Sequence, residues 1–184
     1  MFSEFKDDHH KQQAEQLLLT FGRFNVQFER VCEAMRNAII YTLRSQGLAN
    51  QGMQQVIIGD TSSADLQRLL GALCNHLPAW DSDDHQALKN ALKEIKELTE
   101  KRNVVVHSAW RFGDRASESE LFAIAIRPRT KQSSGAVPEV WGFSASYLED
   151  LIDRMKASQV LLQRLSTCLT QSGFKVATEF GRSM

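Results

Sequence analysis

The chain has 184 residues, 42 % of them hydrophobic and 24 % charged, and its 22 basic side chains are balanced by 22 acidic ones. That length supports one domain with a substantial core, and the composition excludes a disordered polymer. A net charge of zero excludes a general nucleic-acid coat, whose affinity rests on neutralising phosphates, although it leaves room for a local basic groove.

From residue 7 to about residue 46 the apolar residues Leu17, Phe21, Phe24, Phe28, Val31, Met35, Ile39 and Leu43 recur at three- and four-residue steps, the period of an amphipathic helix. Gly22 is a position where this long helix can kink, and Gly47 closes it. The stretch "GLANQGMQQVIIGDTSS" reads as a connection with a short apolar piece. Asp60, Thr61, Ser62 and Ser63 offer N-caps for a second helix that runs to Leu77 and is stopped by Pro78. "AWDSDD" caps a third helix over residues 84–108, with Leu88, Ala91, Leu92, Ile95 and Leu98 on one face.

The period then changes. "SAWRF", residues 121–126 and "EVWGF" read as short strands, and the turn-rich stretches 113–119 and 131–138 make a small antiparallel meander. Ser144 caps a last helix, with Phe143 and Leu148 spaced as a hydrophobic staple. Residues from about 172 to 184 read as a loosely ordered tail. The expected fold is all-α: a single domain over 1–184, an up-and-down bundle of about four helices, with a β hairpin or meander between the third and fourth.

No apolar run approaches the ~20 residues of a membrane helix, and the polar start "MFSEFKDDHHKQQ" is not a signal peptide. A cytoplasmic location and no membrane partner are therefore expected. Cys32, Cys74 and Cys168 are far apart, lack a CxxC spacing and sit in apolar helical contexts, so they read as reduced thiols. No metal site, no phosphate-cradling glycine loop and no cofactor are expected.

One segment breaks its own pattern. In "LKEIKELTEKRNVVVHSAW" Arg102 follows Ile95 by seven residues and Leu98 by four, so it continues the apolar stripe. A buried guanidinium is costly unless paired, so Arg102 should be paired or line a wet cleft or an interface. Asn103 and His107, four apart, share a side of the last turn. The β-branched run Val104–Val106 weakens the helix there, and a frayed end would let Arg102 and His107 converge on one groove. A structural alternative stands beside this one: Arg102 lays its stem over the bundle end, and His107 complements the helix dipole.

The segment "RNVVVHSAW" resembles the signature of the HEPN superfamily, an Arg followed by a polar residue and then a His at the end of the third helix of an α-bundle. Arg102, Asn103 and His107 match it. The resemblance implies a metal-independent endoribonuclease whose two protomers form one composite groove, acting in bacterial or phage-related defence, stress or toxin functions. His107 would move protons, Arg102 would hold the scissile phosphate, and Asn103 would orient the histidine or the phosphate. Products would carry a 2′,3′-cyclic phosphate. The implied partners are a second copy, RNA and a regulatory protein or antitoxin. The family alternative is a catalytically silent dimerisation or RNA- or protein-binding module. Paired toxins of the family often carry a Tyr two residues after the His; Ala109 stands there, which argues against control by modification at that position.

Glu29 and Glu33 are candidate auxiliary polar residues from the first helix, with a solvated face as the alternative. Arg111, Arg127, Arg129 and Lys131 could guide an RNA backbone along the β excursion, or simply solvate a hairpin edge. Trp80, Trp110 and Trp141 could stack a base, but packing is the commoner fate. The "DDHH" at 7–10 reads as a solvated helix start, and Asp81, Asp83, Asp84 and His85 as caps and first-turn charges.

Overall fold

The computed structural model of the chain describes residues 8–78, 80–112, 123–131, 135–171 and 174–181, and within the strands it describes side chains only at 109, 110, 126 and 140–143. The protein is predominantly helical. In chain order the described residues form α1 (Asp8–Ser45), α2 (Gln51–Ile58), α3 (Ser63–Cys74), α4 (Ser82–His107), β1 (Ala109–Phe112), β2 (Ala123–Lys131), β3 (Gly135–Phe143), α5 (Ala145–Thr170) and α6 (Val176–Gly181). No helix among the described residues is long and apolar enough to cross a membrane. They group into two compact units, Met1–Val26 with Glu100–Asp153, and Gln27–Thr99 with Arg154–Met184.

α1 is one uninterrupted helix. Gly22 neither kinks nor splits it, because its α-carbon faces open space and the flanking heptads bury the opposite side. Gly47 adopts a φ of 92°. There its N–H reaches the Arg44 carbonyl, and Leu48 N–H reaches the Leu43 carbonyl, which closes the helix in a Schellman turn.

In the Gln27–Thr99 and Arg154–Met184 unit, Phe28, Met35 and Ile39 of α1 are buried, as are Leu66 and Leu70 of α3, Ile95 and Leu98 of α4, and Leu162 and Leu165 of α5. Two corrections arise here. The connection after α1 contains a helix, α2, whose Asn50 side chain accepts from Met53 N–H; its eight residues are too few for a period to be read. The tail is not loose at 176–181. α6 buries Val176 and Phe180, and its N-terminus is docked on α4: Ala177 N–H donates to the Asp84 carboxylate at 2.9 Å, and Lys175 Nζ meets Asp81 Oδ2 at 2.8 Å.

In the other unit the three strands pair antiparallel in the order β1-β2-β3. The register sets Trp110 opposite Ala125 and Ala125 opposite Trp141, so both tryptophans lie on one face of the sheet, with Phe143 two residues further along β3. β3 begins at Gly135, inside the stretch expected to be turn. Pro128 is tolerated in β2 because β1 pairs with β2 only as far as Ile126, and Pro138 because β3 is an edge strand among the described residues, so an N–H is not needed on those outer sides. α5 starts as expected: Ser144 Oγ accepts from Tyr147 N–H at 3.1 Å, with Phe143 and Leu148 both buried around the cap.

Candidate functional site at the end of helix α4

The last turns of α4 carry Arg102, Asn103 and His107. The helix remains helical through His107, so the fraying expected from Val104–Val106 does not occur. Val105 explains this: it is fully buried and anchors the turn. A second lock comes from β1, where Trp110 Nε1 donates to the Val105 carbonyl at 2.6 Å. That bond occupies one of the carbonyls a helix leaves without an intrahelical partner at its C-terminus.

Trp110 is itself held in a row of rings. Phe21 of α1 meets it edge-on at 5.1 Å, Phe143 stacks on it at 5.5 Å, and Tyr147 of α5 follows at 5.7 Å from Phe143. These contacts pack Trp110 within its unit. Trp141 lies under the ammonium of Lys101, 5.0 Å from the ring centroid, a cation–π contact beside the motif. Trp80 packs against His85 at 5.6 Å in the other unit.

Arg102 and Asn103 are half-buried, and His107 is exposed. Arg102 Nη1 donates to Asn103 Oδ1 at 3.4 Å, so the structure brings these two together. It does not bring His107 to them. On a straight helix residues five apart point ~140° away from each other, and no hydrogen bond joins His107 to Arg102 among the described residues. The convergence expected within one chain is therefore corrected. The indole Nε1 of Trp141 and the hydroxyl of Ser108 are buried without a partner among the described residues.

Glu29 and Glu33 belong to the other unit, and both are exposed. Glu33 lines a polar cleft of about 420 Å³ with Arg30, Asn37 and Tyr41 of α1 and Gln159 and Gln163 of α5. Neither Arg102, Asn103 nor His107 is in that lining. Sequence reasoning missed the cleft because its walls come from helices more than a hundred residues apart. Arg111, Arg127, Arg129 and Lys131 have described backbones only: Arg127 pairs in register with Glu139, Arg129 with Val137, and Lys131 with Gly135, while Arg111 pairs with Ile124. Their side chains, and Asp7, lie outside the described residues.

No group of three or more metal-ligating side chains occurs among the described residues. Two of the thiols are poor nucleophiles: burial pushes Cys74 up to about 12, and burial, aided by the nearby Glu179 and Asp84 carboxylates, raises Cys168. His107 is exposed at this end of α4. Arg102, on another side of the helix, carries a planar guanidinium suited to phosphate oxygens. No family model, curated protein or solved structure matches the chain.

Proposed function

We propose that the protein is a metal-independent endoribonuclease of the HEPN type, acting as a homodimer in a bacterial or phage-related defence, stress or toxin role. The observation that supports this is the setting of the motif. Arg102 and Asn103 engage each other on the last turns of a well-anchored helix, and His107 stands exposed at its end. On this reading α1, α3, α4 and α5 are the four helices of the HEPN bundle.

The ~140° divergence of Arg102 and His107 has a chemical consequence. One copy cannot close both on a single phosphate, so the complement comes from a second copy, with the two α4 ends facing across a two-fold axis. In that groove Arg102 holds the scissile phosphate and its growing negative charge. His107 moves a proton as general acid or base, and Asn103 orients the guanidinium it already touches. The ribose 2′-oxygen attacks phosphorus, the P–O5′ bond breaks, the 2′-OH proton is taken up and the leaving 5′-oxygen is protonated. The products are a 2′,3′-cyclic phosphate and a 5′-OH.

The test is incubation of the purified protein with total RNA in EDTA, followed by end-group analysis. Cyclic phosphate ends in the presence of the chelator are expected. RNA that is bound across many substrates and never cut rejects the enzyme and points to a silent binding module. Cleavage that EDTA abolishes rejects the metal-independent step.

A further inference from the structure

The outward face of α1 is apolar in the middle and charged at both ends. Leu18 is 53 % exposed, Leu19 60 % and Val26 56 %. At 100° per residue, these three share an arc of ~120° with Lys11, Glu15, Gly22, Arg30 and Glu33. All eight are on one continuous helix, and none of the eight is buried. Gly22 stands at the centre, with open space where a β-carbon would be. A glycine inside a helix costs roughly 1 kcal/mol relative to alanine, and among the described residues no atom packs at this exposed site to offset that cost.

The order of residues about Gly22 is self-complementary. Leu18 and Val26 lie four residues to either side of it, Lys11 and Glu33 eleven to either side, and Glu15 and Arg30 seven and eight. A second α1 laid antiparallel across a two-fold axis at Gly22 therefore sets Leu18 and Leu19 on Val26 of the second copy. Lys11 then meets Glu33 of that copy, and Glu15 meets its Arg30. Parallel pairing would instead oppose each charge with itself. Glu29 lies on the other edge of the arc from Arg30, so the crossing that brings Arg30 to Glu15 carries Glu29 away. Lys11, Glu15 and Glu33 have no salt-bridge partner among the described residues.

We infer that this face of α1 is a homodimer interface, closed antiparallel about Gly22, with a second copy of the chain as its occupant. The glycine lets the two helix backbones approach where they cross. The pairing rests on the dimer reading above and gives its second copy a place on α1. The strip from Lys11 to Glu33 is ~33 Å long and one helix wide, less than a standard interface, so the dimer should be reversible.

The experiment is sedimentation equilibrium of the full chain over roughly 1–300 µM, the range of weak association. Wild type should show a monomer–dimer equilibrium. Val26→Glu should shift it at least tenfold toward monomer with an unchanged helical CD spectrum. Glu15→Arg should weaken it, and adding Arg30→Glu should restore it. Gly22→Cys should form a disulfide-linked dimer on mild oxidation that wild type, treated identically, does not form. Arg102→Ala, which the ribonuclease reading requires to end cleavage, should dimerise as wild type does, so loss of activity and loss of pairing are read separately. A monomer at the highest concentration overturns the proposal. So does a dimer that Val26→Glu leaves intact, or a charge swap that restores nothing.

Discussion

At the N-terminus of α4, Asp81 accepts from the N–H groups of Asp83 and Asp84 through one carboxylate oxygen and holds Lys175 with the other, while the buried Asp84 accepts from the start of α6. At the C-terminus of the same helix the backbone is held as firmly, by Val105 and the Trp110 indole. The side chains differ. Arg102 meets the neutral amide of Asn103, and His107 faces solvent. At the first end charge is matched by opposite charge from a distant part of the sequence. At the second, a rigid backbone carries Arg102 beside the Asn103 amide and presents an exposed imidazole. A rigid scaffold with available polar groups is what a site needs.

The sharpest way to break this contrast is at His107. His107→Ala should abolish RNA cleavage, a loss on the order of 10²–10⁴-fold for a proton-transferring group, and should leave the melting temperature nearly unchanged because the side chain is exposed. Arg102→Ala should end cleavage as well. Arg102→Lys should rescue poorly, since a point charge does not reproduce the guanidinium fork, and Asn103→Ala should be milder. Cleavage kinetics alongside thermal melts check all four. Cleavage that survives His107→Ala removes the mechanism.

Trp110→Ala should do the opposite, acting on stability. It removes a ring packed between Phe21 and Phe143 and the donor on Val105. The expected cost is about 3 kcal/mol, or roughly 6–12 °C in melting temperature for a chain of this size. Trp110→Phe should recover the packing and still lack the hydrogen bond. If Trp110→Ala melts like wild type, the anchoring described for the α4 end is wrong.

At the opposite end, Asp84→Ala should release α6. A charge-assisted hydrogen bond to a buried carboxylate contributes about 1.5–3 kcal/mol, and Val176 and Phe180 follow α6 into solvent if it undocks. Asp84→Asn, which keeps an acceptor, should cost less. Proteolysis between α5 and α6 reads the release. RNA cleavage, if it depends on the other end of α4, should change little.

The same contrast explains what could be read from the sequence. The period of α1, the Ser144 cap, the Phe143–Leu148 staple and the Asp81 cap are local patterns, each complete within a few residues, and each was legible. α6 was not, because six residues carry no period and its docking depends on Asp81 and Asp84, more than ninety residues away. Arg102, Asn103 and His107 were legible as a motif, and Arg102 as a break in the Ile95–Leu98 stripe. Their geometry was not: whether Val104–Val106 would fray the helix depended on Val105 finding a buried seat and on Trp110 reaching back to its carbonyl. β-branched residues lower helix propensity by only tenths of a kcal/mol, and burying one of them outweighs that.

The smallest effect concerns the exposed pair that completes the α6 dock. Lys175, and then the backbone N–H of Asp84, holds Asp81 below the usual aspartate range; Asp81 in turn raises Lys175. Because the folded Asp81 value is depressed, its contribution is present above the ordinary aspartate value of ~3.9 and is lost as pH falls through the lower folded value. Because the folded Lys175 value is raised, its contribution is full below the ordinary lysine value of ~10.4 and is lost as pH rises through the higher folded one. The pair therefore supports α6 most between those limits. Both side chains are largely exposed, 67 % for Lys175 and 46 % for Asp81, so the effect should be slight and screened by salt. The amide resonance of Ala177, which reports the α6 dock, should move toward its undocked position as pH falls below ~3.9. The shift should be smaller at high salt and smaller again in Lys175→Met, where the Asp83 and Asp84 N–H groups still hold Asp81. An acid response identical in Lys175→Met and wild type would mean that the ion pair contributes nothing to the dock and that Asp84 with the buried Val176 and Phe180 carries it alone.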